Sequence, residues 1–439
     1  MVMGARERTY SSFGVPASKP IHAMGRTSSQ EKDRRQAGAS LAALLLVAAS
    51  LTYVNPVLSV SDTQPYAFLV SCLVVAAAAL PPPTKAFYLL LPSVVAAIVL
   101  FSVGDRDVES VRGVYGYLSF ALVAIAANKL ADFIRGSQIV AITYAWFAVC
   151  LIQQFVHRAF AHGLMPRVGV SENRGIVGLA VEPSYLAVTA AFLLLLGWYC
   201  RVNARASRTQ FRLVVWACAA MMLMSLSGMG FLLFAIFAVV AILAIRSLAG
   251  KIVYATLLAA SLFFLGRLAT ETEFGGDLRA FALIRRFIDE SGGGLFLDAS
   301  FAARVRDIVV SGIAFIDNGA MPHGFDMWNV VMHRTVAEHW GLLSGIVSSI
   351  VGPGQDRIMS AWGAAIFELG IFGIPLIAAY LVLAARAAIN SRSPSQRAWV
   401  VGSSIIAFML MLTQVPLAFP LASIYVGLLA RTGQKSAPA

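Results

Sequence analysis

The chain has 439 residues, 59% hydrophobic and only 13% charged, with a formal net charge of +12. A soluble domain carries roughly 25% charge, so this composition excludes an ordinary soluble protein. Apolar runs of about 20 residues recur along the chain and mark a polytopic membrane protein. The spans are helices, because barrel strands are about ten residues long and alternate in character, whereas these runs are apolar on every face.

Residues 1–36 are polar, Ser-rich and basic, with no evident cleavable signal, and read as a disordered cytoplasmic tail. Residues 37–269 hold nine expected spans, near 38–60, 66–80, 85–103, 114–131, 138–156, 180–200, 211–227, 229–249 and 251–269. A long loop covers 270–360. Three further spans follow within 361–430, near 361–386, 398–415 and 417–430, and 431–439 is a short tail. The expected fold is an all-α membrane protein of about twelve transmembrane helices, with one long outer loop between the ninth and tenth.

Placing the N-terminus in the cytoplasm puts most of the basic residues on one side. These are the tail's own, then Lys85, Lys129, Arg135, Arg201, Arg205, Arg208, Arg212, Arg246, Lys251, Arg386, Arg392, Arg397, Arg431 and Lys435. The short outer loops hold only Arg106, Arg112, Arg158, Arg167 and Arg174. This is the positive-inside pattern, with both termini cytoplasmic. It accounts for the basic charge without nucleic acid. Cys72, Cys150, Cys200 and Cys218 all lie in apolar runs and read as small hydrophobes rather than disulfides or metal ligands.

Two outer segments are long, 157–179 and 270–360, and loops of such length usually carry function. His157, His162, His323, His333 and His339 fall within them. None of their spacings suits a helical metal motif, so no metal and no cofactor is expected. Within the second loop, "SFAARVRDIVVSGIAFID" has helical periodicity. Phe301, Val305, Ile308, Val309, Gly312 and Ile316 make an apolar face, and Ser300, Arg304, Asp307 and Ser311 a polar one, with Arg306 pointing elsewhere. "DLRAFALIRRFIDE" is a second amphipathic stretch that suits a membrane surface. "SGGGL" is a flexible joint rather than a phosphate cradle. "PHGFDMW" is a turn carrying His323.

Candidate chemistry begins with "NRGIVGLAVEPSY". Pro183 suits a first helical position and Glu182 meets the positive helix end; Arg174 fits a solvated loop equally well. The functional alternative needs a second arginine outside the membrane, and Arg304 supplies one. Two guanidinium forks would hold a diphosphate at any physiological pH. Arg158 is a further outer arginine. Glu368 lies some seven residues into the span opening "AWGAAIFELGIFGI". An ionisable group there is either functional or, if the span starts later, merely interfacial.

Several of these segments, taken in order, resemble the O-antigen polymerase and O-antigen ligase superfamily. The carriers are Arg174, Gly178 and Pro183 in "RGIVGLAVEPSY", the hairpin "LMSLSGMGFLLF", the loop helix and turn "DASFAARVRDI…PHGF", and "FELGIFGI", together spanning roughly 155–380. Two departures stand out. Met229 replaces the arginine that often stands between the hairpin glycines. Met359 and Ser360 replace the ligase branch's His-Asn pair, which favours polymerase over ligase. The resemblance implies a metal-independent, C-type glycosyltransferase of the bacterial inner membrane that uses an undecaprenyl-diphosphate-linked oligosaccharide as donor. The growing glycan moves onto the next lipid-linked repeat unit, or onto lipid A core in a ligase. In this reading Arg174 and Arg304 bind the diphosphate, and Glu182, His323 or His333 acts as base toward the acceptor hydroxyl. Membrane lipid, a flippase and a chain-length regulator are the partners implied, and O-antigen or exopolysaccharide is the product. A lipid-linked glycan transporter and a non-catalytic membrane scaffold are the rival classes. A transporter would place charges in several spans and build pseudo-symmetric halves; most spans here carry no charge.

Overall fold

A computed structural model describes residues 36–51, 53–55, 65–77, 85–104, 107–165, 175–243, 247–253, 255–256, 259–260, 299–347 and 358–432. The expected tail, the "DLRAFALIRRFIDE" stretch, "SGGGL", Arg174 and most of the ninth expected span lie outside these residues. Among the described residues all regular structure is helical.

The helices are α1 (Gln36–Ala48), α2 (Tyr66–Ala76), α3 (Leu91–Val103), α4 (Val108–Leu130), α5 (Gly136–Phe155), α6 (Pro183–Val202), α7 (Arg208–Met224) and α8 (Gly228–Leu243). Then come α9 (Ala299–Asp317), α10 (Trp328–Glu338), α11 (Trp340–Val347), α12 (Ala361–Leu369), α13 (Ile374–Ile389), α14 (Pro394–Thr413) and α15 (Pro420–Thr432). Six segments are long and apolar enough to cross a membrane: Lys85–Val103, Ser110–Leu130, Gly136–Phe155, Pro183–Val202, Ala361–Ile389 and Pro394–Thr413. Helices α1, α2 and α8 are apolar but shorter. The chain is therefore an all-α protein with the helices of a multi-pass membrane protein.

Burial separates the helices into an inner and an outer set. From Leu421 to Ala430, α15 is wholly buried, and α6 is buried over most of its length. Gly427 lets α15 close on α4: a side chain there would meet the Ala124 carbonyl at 2.3 Å, and Asn128 donates to the Gly427 carbonyl. The outer helices expose Leu73, Val99, Trp216, Leu381 and Ile405. That much apolar surface is costly in water and matched in hydrocarbon.

The two ends of the bundle differ. At one end the C-termini of α4, α6 and α15 meet, where Arg205 and Arg431 both bond Asp132. The starts of α1, α5 and α14 lie there too, through Gln138 to the Ser40 carbonyl, Gly136 N–H to the Arg205 carbonyl, and Gln396 to Asn203. The other end gathers the starts of α4, α6 and α12, with α9 packed on α12 and α10 packed on α9.

The span Ala361–Ile389 is broken in its middle. Gly370 takes φ +58°, a tight 3-10 turn covers Gly370–Gly373, and Pro375, which lacks an N–H, restarts the helix as α13. A side chain at Gly370 would lie 2.5 Å from the Ala320 carbonyl. The freed backbone groups are satisfied by the turn 318–324. His323 and Gly324 donate their N–H groups to the Phe367 and Glu368 carbonyls, and Ile371 N–H bonds the Ala320 carbonyl. The "PHGF" turn is thus the C-cap of α12.

Candidate functional site: an arginine helix docked on a broken span

Helix α9 forms over the stretch whose periodicity predicts it, but it faces the other way. The buried stripe is Ala302, Arg306, Asp307, Val310, Ser311 and Ala314, while Val305, Ile308 and Val309 are half-buried and Ile316 is exposed. The side chains of Ser300 and Phe301 lie outside the described residues. Much of the expected polar face is therefore the docked one. The reason is local. Asp307 accepts from the Met359 N–H at 2.8 Å through one oxygen, and from Arg306 Nη2 at 2.6 Å and Nε at 3.1 Å through the other. These charge-assisted bonds hold α9 against the segment that enters α12. Gly363 allows the approach, since a side chain there would stand 3.2 Å from the Asp307 carbonyl. Ser360, buried beside it, caps α12 by accepting from the Gly363 N–H at 2.8 Å.

Burial pushes the Asp307 carboxyl above its usual range, against the opposing pull of Arg306, the Met359 N–H and Arg304. Arg304, half-buried, is thus close enough to act on Asp307.

Arg306 is only 2% exposed. Its guanidinium carbon sits 5.9 Å from the centre of the Trp328 ring, a cation–π distance. The Trp328 and Phe367 rings stand perpendicular with centres 5.1 Å apart, and His323 stacks on Phe367 with ring centres 4.6 Å apart. His323 Nε2 lies 3.1 Å from the Ala314 carbonyl. A carbonyl only accepts, so Nε2 carries the proton, and in the neutral ring Nδ1 is the accepting nitrogen. Glu368 projects from the opposite side of α12, where Tyr117 donates to its Oε2 at 2.8 Å. Beside this pair the Phe325 ring fills the space left by Gly113, where a side chain would meet it at 2.2 Å.

Glu182 stands at the N-cap of α6, half-buried, its carboxylate 3.4 Å from the Ser184 hydroxyl. One turn on, the Tyr185 hydroxyl meets the Met359 sulfur at 3.8 Å. Met359 therefore joins the start of α6 to the Arg306–Asp307 pair. The segment before α6 is fixed by Gly178, whose φ of +62° needs glycine. Gln153 clamps both backbone groups of Gly178. Gly175 packs on the carbonyls of Met224 and Ser225, in the tight α7–α8 turn. The two sequence segments "RGIVGLAVEPSY" and "LMSLSGMGF" are thus in contact.

Among the expected site residues, Glu182, Arg304, His323 and Glu368 lie at this end of the bundle. Arg174 lies outside the described residues. His333 is exposed on the outer side of α10, and Arg158 is exposed in the turn after α5. Sequence reasoning missed Arg306, Asp307, Trp328, Tyr117 and Met359. One signal was available: Ala302, Arg306, Val310 and Ala314 follow an i, i+4 row of small and apolar residues interrupted by one arginine. A separate group, Asp317, Glu338 and His339, brings its ligand atoms within 4.8 Å of one another near the far ends of α9 and α10. The 2.9 Å contact of His339 with Asp317 and that of Arg334 with Glu338 account for it as exposed pairing.

No protein-family model matches the chain, and no curated protein does either.

Proposed function

We propose that the chain is a metal-independent glycosyltransferase of the O-antigen polymerase type. It would join undecaprenyl-diphosphate-linked repeat units into a surface polysaccharide, O-antigen or exopolysaccharide, on the periplasmic side of the bacterial inner membrane. The observation that carries this reading is the docking of the arginine helix α9 on the start of α12, next to the N-terminus of α6. A departing diphosphate gathers negative charge, and preorganised arginines in a water-poor site would stabilise it without a metal. The acceptor hydroxyl needs a base; Glu182 and His323 stand in this region, whereas exposed His333 is less suited.

The finer architecture belongs to the same reading: about twelve spans, both termini cytoplasmic, and residues 270–360 as the periplasmic loop. The basic collar around Arg205 and Arg431 lies at the end of the bundle opposite α9, which agrees with the positive-inside pattern. Flippase and chain-length regulator would act before and with the enzyme. The broken span gives the transporter reading its one support, since transporters build substrate sites from interrupted helices. Here, however, the backbone groups freed at the break are taken up by the 318–324 turn rather than left for a substrate.

The test is reconstitution. Purified protein in detergent receives lipid-linked repeat units with excess chelator, and products are resolved on a gel. A ladder abolished by Arg174→Ala or Arg304→Ala supports the polymerase. Transfer only when lipid A core is added makes it a ligase. No product in either arm, with the repeat unit confirmed as native donor, removes the enzyme reading in favour of transport.

A further inference from the structure

The far ends of α9 and α10 meet at Asp317, Glu338 and His339, whose ligand atoms all lie within 4.8 Å of one another. Exposed pairing accounts for how these side chains rest; it does not account for where they are placed. Arg306 faces Trp328, and eleven residues further along each chain segment Asp317 faces His339. The two helices therefore run side by side in the same direction, and their C-terminal ends arrive together. Antiparallel neighbours offset each other's dipoles, whereas parallel ones add, so the shared end is negative twice over. Asp317 is the last residue of α9 and Glu338 the last of α10, and neither helix has a basic residue in its last turn. Carboxylates are disfavoured at such ends and cations favoured. Arg334, 3.8 Å from Glu338 on the exposed side of α10, offsets only one of the two carboxylates.

We infer that Asp317, Glu338 and His339 form a divalent-cation site of the zinc type that clamps the end of α10 to the end of α9. One imidazole nitrogen and two carboxylate oxygens suit zinc, with water in the fourth position. Calcium and magnesium prefer larger, all-oxygen sets. Ligand atoms about 2.1 Å from a tetrahedral ion stand about 3.4 Å apart, so small rotations of these side chains bring them into place from their present spacing. Asp317 and Glu338 are exposed and His339 is half-buried, so the ion reaches the site from solvent. A single helix cannot supply this set, which is why no spacing within one helix marks it. By holding α10 alongside α9, the ion also holds Trp328 over Arg306 at the other end of the pair. The clamp is structural and does not rest on the polymerase reading.

The experiment uses the full chain in detergent, free of any histidine tag and stripped with chelator. Thermal unfolding is followed against increasing zinc chloride, with calcium and magnesium chlorides in parallel, and affinity is read separately by competition with a zinc-indicator dye. An ion that binds only the folded state raises the midpoint saturably. Asp317→Asn, Glu338→Gln and His339→Gln each remove one ligand. Each should weaken zinc binding at least about tenfold, since even groups that merely support a ligand matter that much. Arg334→Gln releases Glu338 from its pair and should tighten binding about twofold, the strength of one exposed i, i+4 pair. His333→Gln, on the outer side of α10, should bind as the unaltered chain does. A saturable zinc shift that the three ligand variants lose and His333→Gln keeps supports the clamp. No saturable shift, a shift that the ligand variants leave unchanged, or an equal response to calcium and magnesium overturns it and leaves the group as exposed pairing. The gel assay runs in excess chelator and reads turnover, so the two experiments can fail independently.

Discussion

Among the described residues two arginine–aspartate clusters stand out, one at each end of the bundle, and they are built differently. At the basic end Asp132 is shared by Arg205 and Arg431, with side chains 23–40% exposed. Arg205 also reaches the Ala131 carbonyl and the Tyr199 hydroxyl. At the other end Arg306 and Asp307 are almost wholly buried, and one guanidinium nitrogen is left over. The first cluster joins the C-terminal ends of three helices around one carboxylate. The second spends one aspartate on holding a helix in place and keeps donor capacity in reserve.

The largest effect should come from Asp307→Ala. It strands a buried guanidinium and the Met359 N–H together, and breaking a buried pair from one side typically costs about 3–5 kcal/mol. Equilibrium unfolding in mixed micelles measures it. Replacing the pair together, Arg306→Met with Asp307→Leu, should recover most of that loss, because an apolar pair of similar size is often neutral. If the double variant is as unstable as the single one, the pair serves packing geometry rather than charge, and the contrast with the basic cluster fails.

A smaller effect is expected at the basic end. Asp132→Asn removes one carboxylate shared by two partly exposed arginines, and solvent screening limits the loss to roughly 1 kcal/mol or less. It should shrink further in high salt, whereas the Asp307 effect should barely respond, since buried pairs are little screened. The comparison is sharpened by measuring both variants at low and high ionic strength. Equal salt sensitivity would show that burial does not distinguish the two clusters.

Most of the described helix positions were legible in the sequence because hydrophobic runs report burial in lipid or protein directly. Helix α9 was legible as a helix but not in its orientation. Its docked face is set by Asp307 reaching the Met359 N–H, a contact between residues far apart in sequence, and periodicity cannot see a polar partner on another element. The same limit hid the Tyr117–Glu368 pair and the use of His323 and Gly324 to cap α12. The end of α12 was hidden too: "FELGIFGIP" reads as one continuous apolar span, yet Gly370 and Pro375 break it. Span length shows a similar gap, since α15 is short yet buried from Pro420 to Ala430. Its neighbours, not its own length, make it a core helix.

The smallest expected effect is in pH, where the two aspartates should oppose each other. For Asp132, burial raises the carboxyl's pKa, but Arg431 and Arg205 together outweigh it and the net shift is downward from 3.8. Its contribution is then complete above the unfolded value and is lost as pH falls through the lowered one. For Asp307 burial wins and the net shift is upward from 3.8. The folded carboxyl then binds its proton more readily than the unfolded one. Stability falls as pH rises through the window between the two values, and acidification through it is stabilising. Unfolding midpoints measured from neutral pH down to the carboxylate range should therefore lose an acid-destabilising component in Asp132→Asn and an acid-stabilising one in Asp307→Asn. If both variants shift the profile in the same direction, the two carboxylates share one electrostatic environment, and the contrast between the exposed and the buried cluster no longer holds.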